Sequence, residues 1–143
     1  MLTPSRVRYR KTQRGKMRGK VRNSNSRVLY GAAGLMALEP CWVTANQIES
    51  ARIAINRVLK KYGHVWIRIF PDKPYTKKPA ETRQGSGTGN PEGYVAVVRP
   101  GQVMFEAECE PEPALVKEAL LRAGHKLPVR WRIVERAEAW DAQ

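Results

Sequence analysis

Ten of the first thirty residues are Lys or Arg and none is Asp or Glu: Arg6, Arg8, Arg10, Lys11, Arg14, Lys16, Arg18, Lys20, Arg22 and Arg27. Like charge at that density cannot be buried in a small core, so residues 1–27 are expected to be an arm and the remainder must fold by itself. The chain has 143 residues and a net charge of +13, yet the 113 residues after position 30 hold sixteen basic and thirteen acidic groups. The imbalance therefore belongs to the arm, and a polyanion is the partner that answers it.

Within RVRYRKTQRGKMRGKVR a basic residue stands at nearly every second or third position, with Gly15, Gly19 and single apolar residues between, and no helical stripe. Each such cation set against a phosphate displaces a condensed counterion, which gives affinity for nucleic acid without sequence readout. An organelle transit peptide would be Ser-rich and amphipathic, whereas Ser5 is the sole Ser before position 24. A membrane-surface arm would need Leu or Phe anchors beside its charges, and a solubilising tail is the plainest alternative. No apolar run approaches the roughly 18 residues that span a bilayer, and no signal-peptide core follows Met1. Cys41 and Cys109 form no CxxC pair and read as packing residues.

Residues 28–134 read as one domain, with 135–143 as a fraying extension. Val28 to Val43 is apolar but interrupted by Pro40, so it is expected to form one or two irregular strands. Thr44 and Gln47 make a T-x-x-Q capping box, and Ile48, Ala51, Ile55, Val58 or Leu59, and Tyr62 follow at helical spacing until Gly63. Arg52, Arg57, Lys60 and Lys61 lie largely off that stripe and give the helix a positive face. Basic residues near a helix C-terminus also complement its dipole. HVWIRIF, His64 to Phe70, alternates as a strand. Tyr94–Arg99 and Gln102–Glu108 flank Pro100-Gly101 and are expected to pair as a hairpin. Pro113 to Ala123 predicts a helix with Leu115, Val116, Ala119, Leu120 and Ala123 inward, followed by a strand over Pro128–Val134. The order implies an α+β class, two layers, a mixed sheet and two helices.

Residues 71–93, PDKPYTKKPAETRQGSGTGNPEG, hold four Pro and four Gly with no periodicity, and are expected to form a protruding loop. Its first part carries Lys73, Lys77 and Lys78. The tip, Arg83, Gln84, Gly85, Ser86, Gly87, Thr88 and Gly89, combines pliant glycines with hydroxyl donors suited to a phosphate backbone. It matches neither GxxxxGK[ST] nor a GxGxxG opening a helix. His64 and His125 lack partners at ligand spacing. Glu106, Glu108, Glu110 and Glu112 alternate, as a metal-dependent nuclease could require, but a solvated strand edge explains them better. No cofactor, metal or catalytic residue is assigned, and the chain is expected not to be an enzyme.

Val65 to Glu106, VWIRIFPDKPYTKKPAETRQGSGTGNPEGYVAVVRPGQVMFE, is similar to the IWIRVFPDKP, basic glycine tip and WVAxVxPGxVLYE of the universal large-subunit ribosomal protein L-sixteen family, bacterial and plastid form. MLTPSRVRYRK, TANQIESARIAINR and KLPVRWRIV resemble family segments too, and ALEPCWVT is similar to the plastid and cyanobacterial variety. The resemblance implies a hammerhead-like α+β fold and a structural role in the large ribosomal subunit. Its partners would be large-subunit rRNA, neighbouring ribosomal proteins and tRNA, not a membrane and not a second copy of itself. The arm from Arg6 to Arg22, the helix residues Arg52, Arg57, Lys60 and Lys61, and Lys73, Lys77 and Lys78 would meet rRNA. Arg83 to Gly89 would approach A-site tRNA, with P-site tRNA as a further candidate, near the peptidyl-transferase centre. Where the family keeps Met and lysines in the tip, this chain has Gln84, Ser86 and Thr88, so backbone and hydroxyl contacts would replace charged ones. The implied location is ribosome-bound in the cytoplasm, with plastid stroma as the alternative. A free RNA-binding or metal-dependent RNA-processing protein is the competing reading.

Overall fold

The computed structural model describes residues 2–6, 9–12, 15, 26–77 and 89–136. Along the chain come β1 (Ala33–Ala37), β2 (Cys41–Thr44), α1 (Ala45–Leu59), a 3-10 turn (Lys60–Tyr62), β3 (Gly63–Ile67), β4 (Lys73–Lys77), β5 (Asn90–Val98), β6 (Val103–Cys109), α2 (Ala114–Gly124) and β7 (Trp131–Glu135). The class is α+β, as expected. The strands, however, form two purely antiparallel sheets rather than one mixed sheet, ordered β3-β6-β1-β7 and β2-β5-β4.

α1 begins where the capping box places it. The Thr44 N–H donates to Gln47 Oε1 at 2.9 Å and the Gln47 N–H donates to Thr44 Oγ1 at 3.2 Å, satisfying two N–H groups that a helix start leaves without partners. Ile48, Ala51, Ala54, Ile55 and Leu59 are its buried side. Leu59 rather than Val58 completes the stripe, and Tyr62 is exposed because the helix ends before it. α2 buries Val116, Ala119, Leu120, Ala123 and Gly124, with Leu115 only partly covered. Both helices pack on one face of the four-stranded sheet, where Leu35, Phe105, Ala107 and Cys109 join Ile48, Ile55 and Leu120 in a continuous core that also takes in Val43, Ala96 and Val98 of the other sheet.

Two expectations about the strands are corrected. Pro100-Gly101 does turn the chain: the Gln102 N–H donates to the Arg99 carbonyl at 3.1 Å and Gly101 has φ 87°, which glycine adopts without steric cost. It does not close a hairpin, because β5 and β6 belong to different sheets. The turn is held instead by β1, with the Gly101 N–H donating to the Ala37 carbonyl at 2.8 Å and the Ala37 N–H to the Gln102 carbonyl at 2.9 Å.

The second correction concerns the long loop. Residues 73–77 of it form β4, which pairs with an extended β5 that begins at Asn90. β4 lies at the edge of its sheet, where Pro74 costs no interior ladder bond. At the other end of the domain, β7 starts at Trp131 rather than Pro128 and takes in Glu135, and the Arg136 N–H donates to the Ala32 carbonyl at 2.9 Å.

Candidate nucleic-acid interface

The described part of the arm is attached to the body at several points. Leu2 packs partly against the core, and Thr12 Oγ1 donates to the Pro74 carbonyl at 3.4 Å, so this stretch of arm passes β4. Arg6, Arg10 and Lys11 are exposed. The Thr12 contact brings Arg10 and Lys11 to the edge strand that carries Lys73 and Lys77. Lys73 Nζ lies 4.9 Å from the centre of the Trp42 ring, a cation-π contact that orients its chain across β2. Arg8, Arg14, Lys16, Arg18, Lys20, Arg22, Lys78 and the tip from Arg83 to Thr88 lie outside the described residues, and Gly89 is half-buried beside the start of β5.

On α1 the four basic residues are not equivalent. Arg52 is paired with Glu49 one turn earlier. That hydrogen bond, reinforced by charge, holds the Glu49 carboxyl below its ordinary range and raises the Arg52 guanidinium above its own. Arg57, Lys60 and Lys61 are exposed at the C-terminal end of the helix. Lys60 adopts φ 55° and ψ −141°, a backbone conformation unfavourable for a residue with a Cβ, while its N–H donates to the Asn56 carbonyl. Arg57 also lines a cleft of about 340 Å³ between the helices with Ala54, Arg122, His125 and Lys126. Arg122 is itself paired with Glu118 at 2.8 Å, so Arg57 and Lys126 supply the open charge there.

The root of the arm is held by residues that no local sequence pattern singles out. The alternating glutamates do not share a solvated edge: β6 is an inner strand, and Glu106 is wholly buried. Its Oε1 accepts from three successive backbone N–H groups, Leu29 at 2.9 Å, Tyr30 at 2.7 Å and Gly31 at 3.0 Å. Its Oε2 lies 2.8 Å from Arg68 Nη1, and the same nitrogen donates to the Arg27 carbonyl. A nest of amides and one guanidinium thus hold a carboxylate that would otherwise be too costly to bury. Gly31 permits the close approach, since a Cβ there would come within 2.7 Å of the Ala107 carbonyl oxygen. Residues 27–31 are thereby clamped across the sheet face opposite the helices. The available signal was an ionisable pair inside two apolar alternating strands, Arg68 in HVWIRIF and Glu106 in VMFEAEC. With Glu106 committed in this way, Glu106 to Glu112 do not form the carboxylate row a metal-dependent nuclease would use. Among the described residues no group of three or more His, Cys, Asp or Glu is placed to hold a metal ion, and no helix is long and apolar enough to cross a membrane.

A basic α+β body with its cations on an arm, an edge strand and a helix end has the layout of a structural protein that works in an assembly. The family model for ribosomal protein L16p/L10e matches residues 4–134, and the chain belongs to that family of structural, non-enzymatic ribosomal proteins. It is similar to the large ribosomal subunit protein uL16 of Heliobacterium modesticaldum, with 55% identity over 138 residues that cover 96% of this chain and 94% of that relative. The resemblance carried by Val65–Glu106 is thereby established.

Proposed function

We propose that this chain is a structural constituent of the large ribosomal subunit that binds rRNA by its arm and by the basic residues of α1 and β4, among neighbouring ribosomal proteins in the cytoplasm. Arg6, Arg8, Arg10, Lys11, Arg14, Lys16, Arg18, Lys20 and Arg22 neutralise phosphates along the arm, while Arg57, Lys60, Lys61, Lys73, Lys77 and Lys78 add phosphate contacts from the body. Arg52 contributes less, because Glu49 already answers its charge. The observation that carries the reading is the clamp at residues 27–31: an acid-free segment is tied at its root to a rigid sheet, so phosphates gathered along the arm are also placed against the body.

Arg83 to Gly89 would reach A-site tRNA, and P-site tRNA beside it, close to the peptidyl-transferase centre. This part of the reading rests on family membership and on the glycine spacing of the tip. Sedimentation of cell extract through a gradient in about 0.5 M salt tests the whole, since loosely held basic proteins are stripped by counterion competition at that level. The chain is expected in the large-subunit peak. Release to the top of the gradient would make it a peripheral or free RNA binder.

A further inference from the structure

We propose that Tyr30, backed by Trp66 and Arg68, is a stacking platform for an unpaired RNA base, a proposal that rests on the RNA-binding reading above. The Tyr30 ring lies over Trp66 with centroids 6.3 Å apart and planes 27° from parallel, and Arg68 Cζ is 5.5 Å from the ring centre. Trp66 is flanked in turn by His64, 6.1 Å away. The tyrosine is therefore supported by an aromatic and a cationic neighbour. Even so, 55% of the residue remains accessible to solvent, which leaves surface for a flat ligand.

The ring is also held in advance. The Tyr30 N–H is the shortest of the three donated to Glu106, at 2.7 Å, and the amides on both sides of it bind the same oxygen, so the backbone beneath the ring has little freedom. An exposed aromatic on a restrained backbone loses little entropy when a flat ligand settles on it. An apolar protein partner would also cover such a ring, but the acid-free basic arm that ends three residues before it favours a polyanion. Arg27 is exposed three residues away and continues into the arm. His64 is exposed beside Trp66 on the same face, and Arg68 has its charge balanced by Glu106. Among the described residues of β3 and β6, Glu108 is half-buried and paired in register with His64. A nucleotide is the ligand that offers a π-face to Tyr30 and a phosphate to Arg27 and His64 at once.

The test compares binding of the full chain to a short labelled oligoadenylate and to an abasic ribose-phosphate chain of the same length. The parent protein is expected to prefer the base-bearing strand. Tyr30→Ala should cut that preference by roughly fivefold or more, the scale of one lost base–aromatic stack, with unchanged affinity for the abasic strand, while Tyr30→Phe keeps it. Ultraviolet crosslinking of the oligoadenylate should yield an adduct on the tryptic peptide from Val28 to Arg52, and Tyr30→Ala should abolish it. An unchanged preference in Tyr30→Ala would overturn the platform and leave the RNA-binding reading standing. Failure of the parent to bind either strand would overturn both.

Discussion

Glu106 and Arg68 offer a stability experiment in which the two halves of one ion pair should behave differently. Their side chains are 0% and 7% exposed. Removing one partner of a buried pair typically costs about 3–5 kcal/mol, because the other charge is left without compensation. Arg68→Met leaves the carboxylate with its three N–H donors and should fall near the lower end, about 3 kcal/mol. Glu106→Leu leaves Arg68 uncompensated and also strips the acceptor from Leu29, Tyr30 and Gly31; the Gly31 N–H is the buried one, and orphaning it costs about 1–3 kcal/mol. Its loss should reach about 5 kcal/mol or more, a large share of the 5–15 kcal/mol that such a domain has. The double variant should recover only part of that, since the buried Gly31 N–H still lacks its acceptor. Urea unfolding followed by far-ultraviolet circular dichroism gives the free energies, and hydrogen exchange at residues 29–31 gives the local effect. Early loss of protection there in Glu106→Leu, with α1 still protected, is the expected pattern. Equal costs for the two single variants, or costs below about 1 kcal/mol for a pair buried in this way, would refute the account of the clamp.

Lys60→Gly should stabilise the protein by about 1 kcal/mol by relieving the unfavourable backbone at φ 55°; under the proposed function it should also lower the salt dependence of RNA binding by about one phosphate contact. Gly31→Ala should destabilise it and raise hydrogen exchange at residues 29–31, because the new methyl would meet the Ala107 carbonyl. The Glu49 carboxyl, depressed mainly by its hydrogen bond from Arg52, contributes stability that is present above its unfolded pKa and is lost as pH falls through the lower folded value. Carboxyl titration by NMR should show that value rising toward the ordinary one in Arg52→Gln. Arg83→Ala, in subunits assembled with the variant, should weaken tRNA binding at the A site more than it weakens incorporation of the protein; equal tRNA affinity in variant and parent subunits would count against a tip contact.

Where local chemistry sufficed, the residues announced the structure. Thr44 and Gln47 are three positions apart and cap α1 by themselves, and the spacing of Ile48, Ala51 and Ile55 specifies which side of that helix is buried. Pro100-Gly101 dictates a turn for the same reason, since its dihedral preferences lie in two adjacent residues. The acid-free charge of residues 1–27 is a property of the sequence itself, because charge density needs no fold to be counted. What the turn joins was another matter: β5 and β6 would have matched as a hairpin, but β5 pairs with β4 and β2 while β6 pairs with β3 and β1, and the Gly101–Ala37 hydrogen bonds send the chain from one sheet into the other. β4 was hidden because a Pro-containing segment becomes a strand only when an edge position is open beside β5. Glu106 was hidden for the strongest reason, since a carboxylate belongs in an inner strand only if Arg68 and the amides of residues 29–31 arrive from other parts of the chain to hold it. Composition and short-range pattern thus determined the class, the helices, the turn and the charge of the N-terminal segment, whereas the pairing of strands, the burial of an ion pair and the docking of residues 27–31 depended on long-range contacts that exist only once the chain has folded.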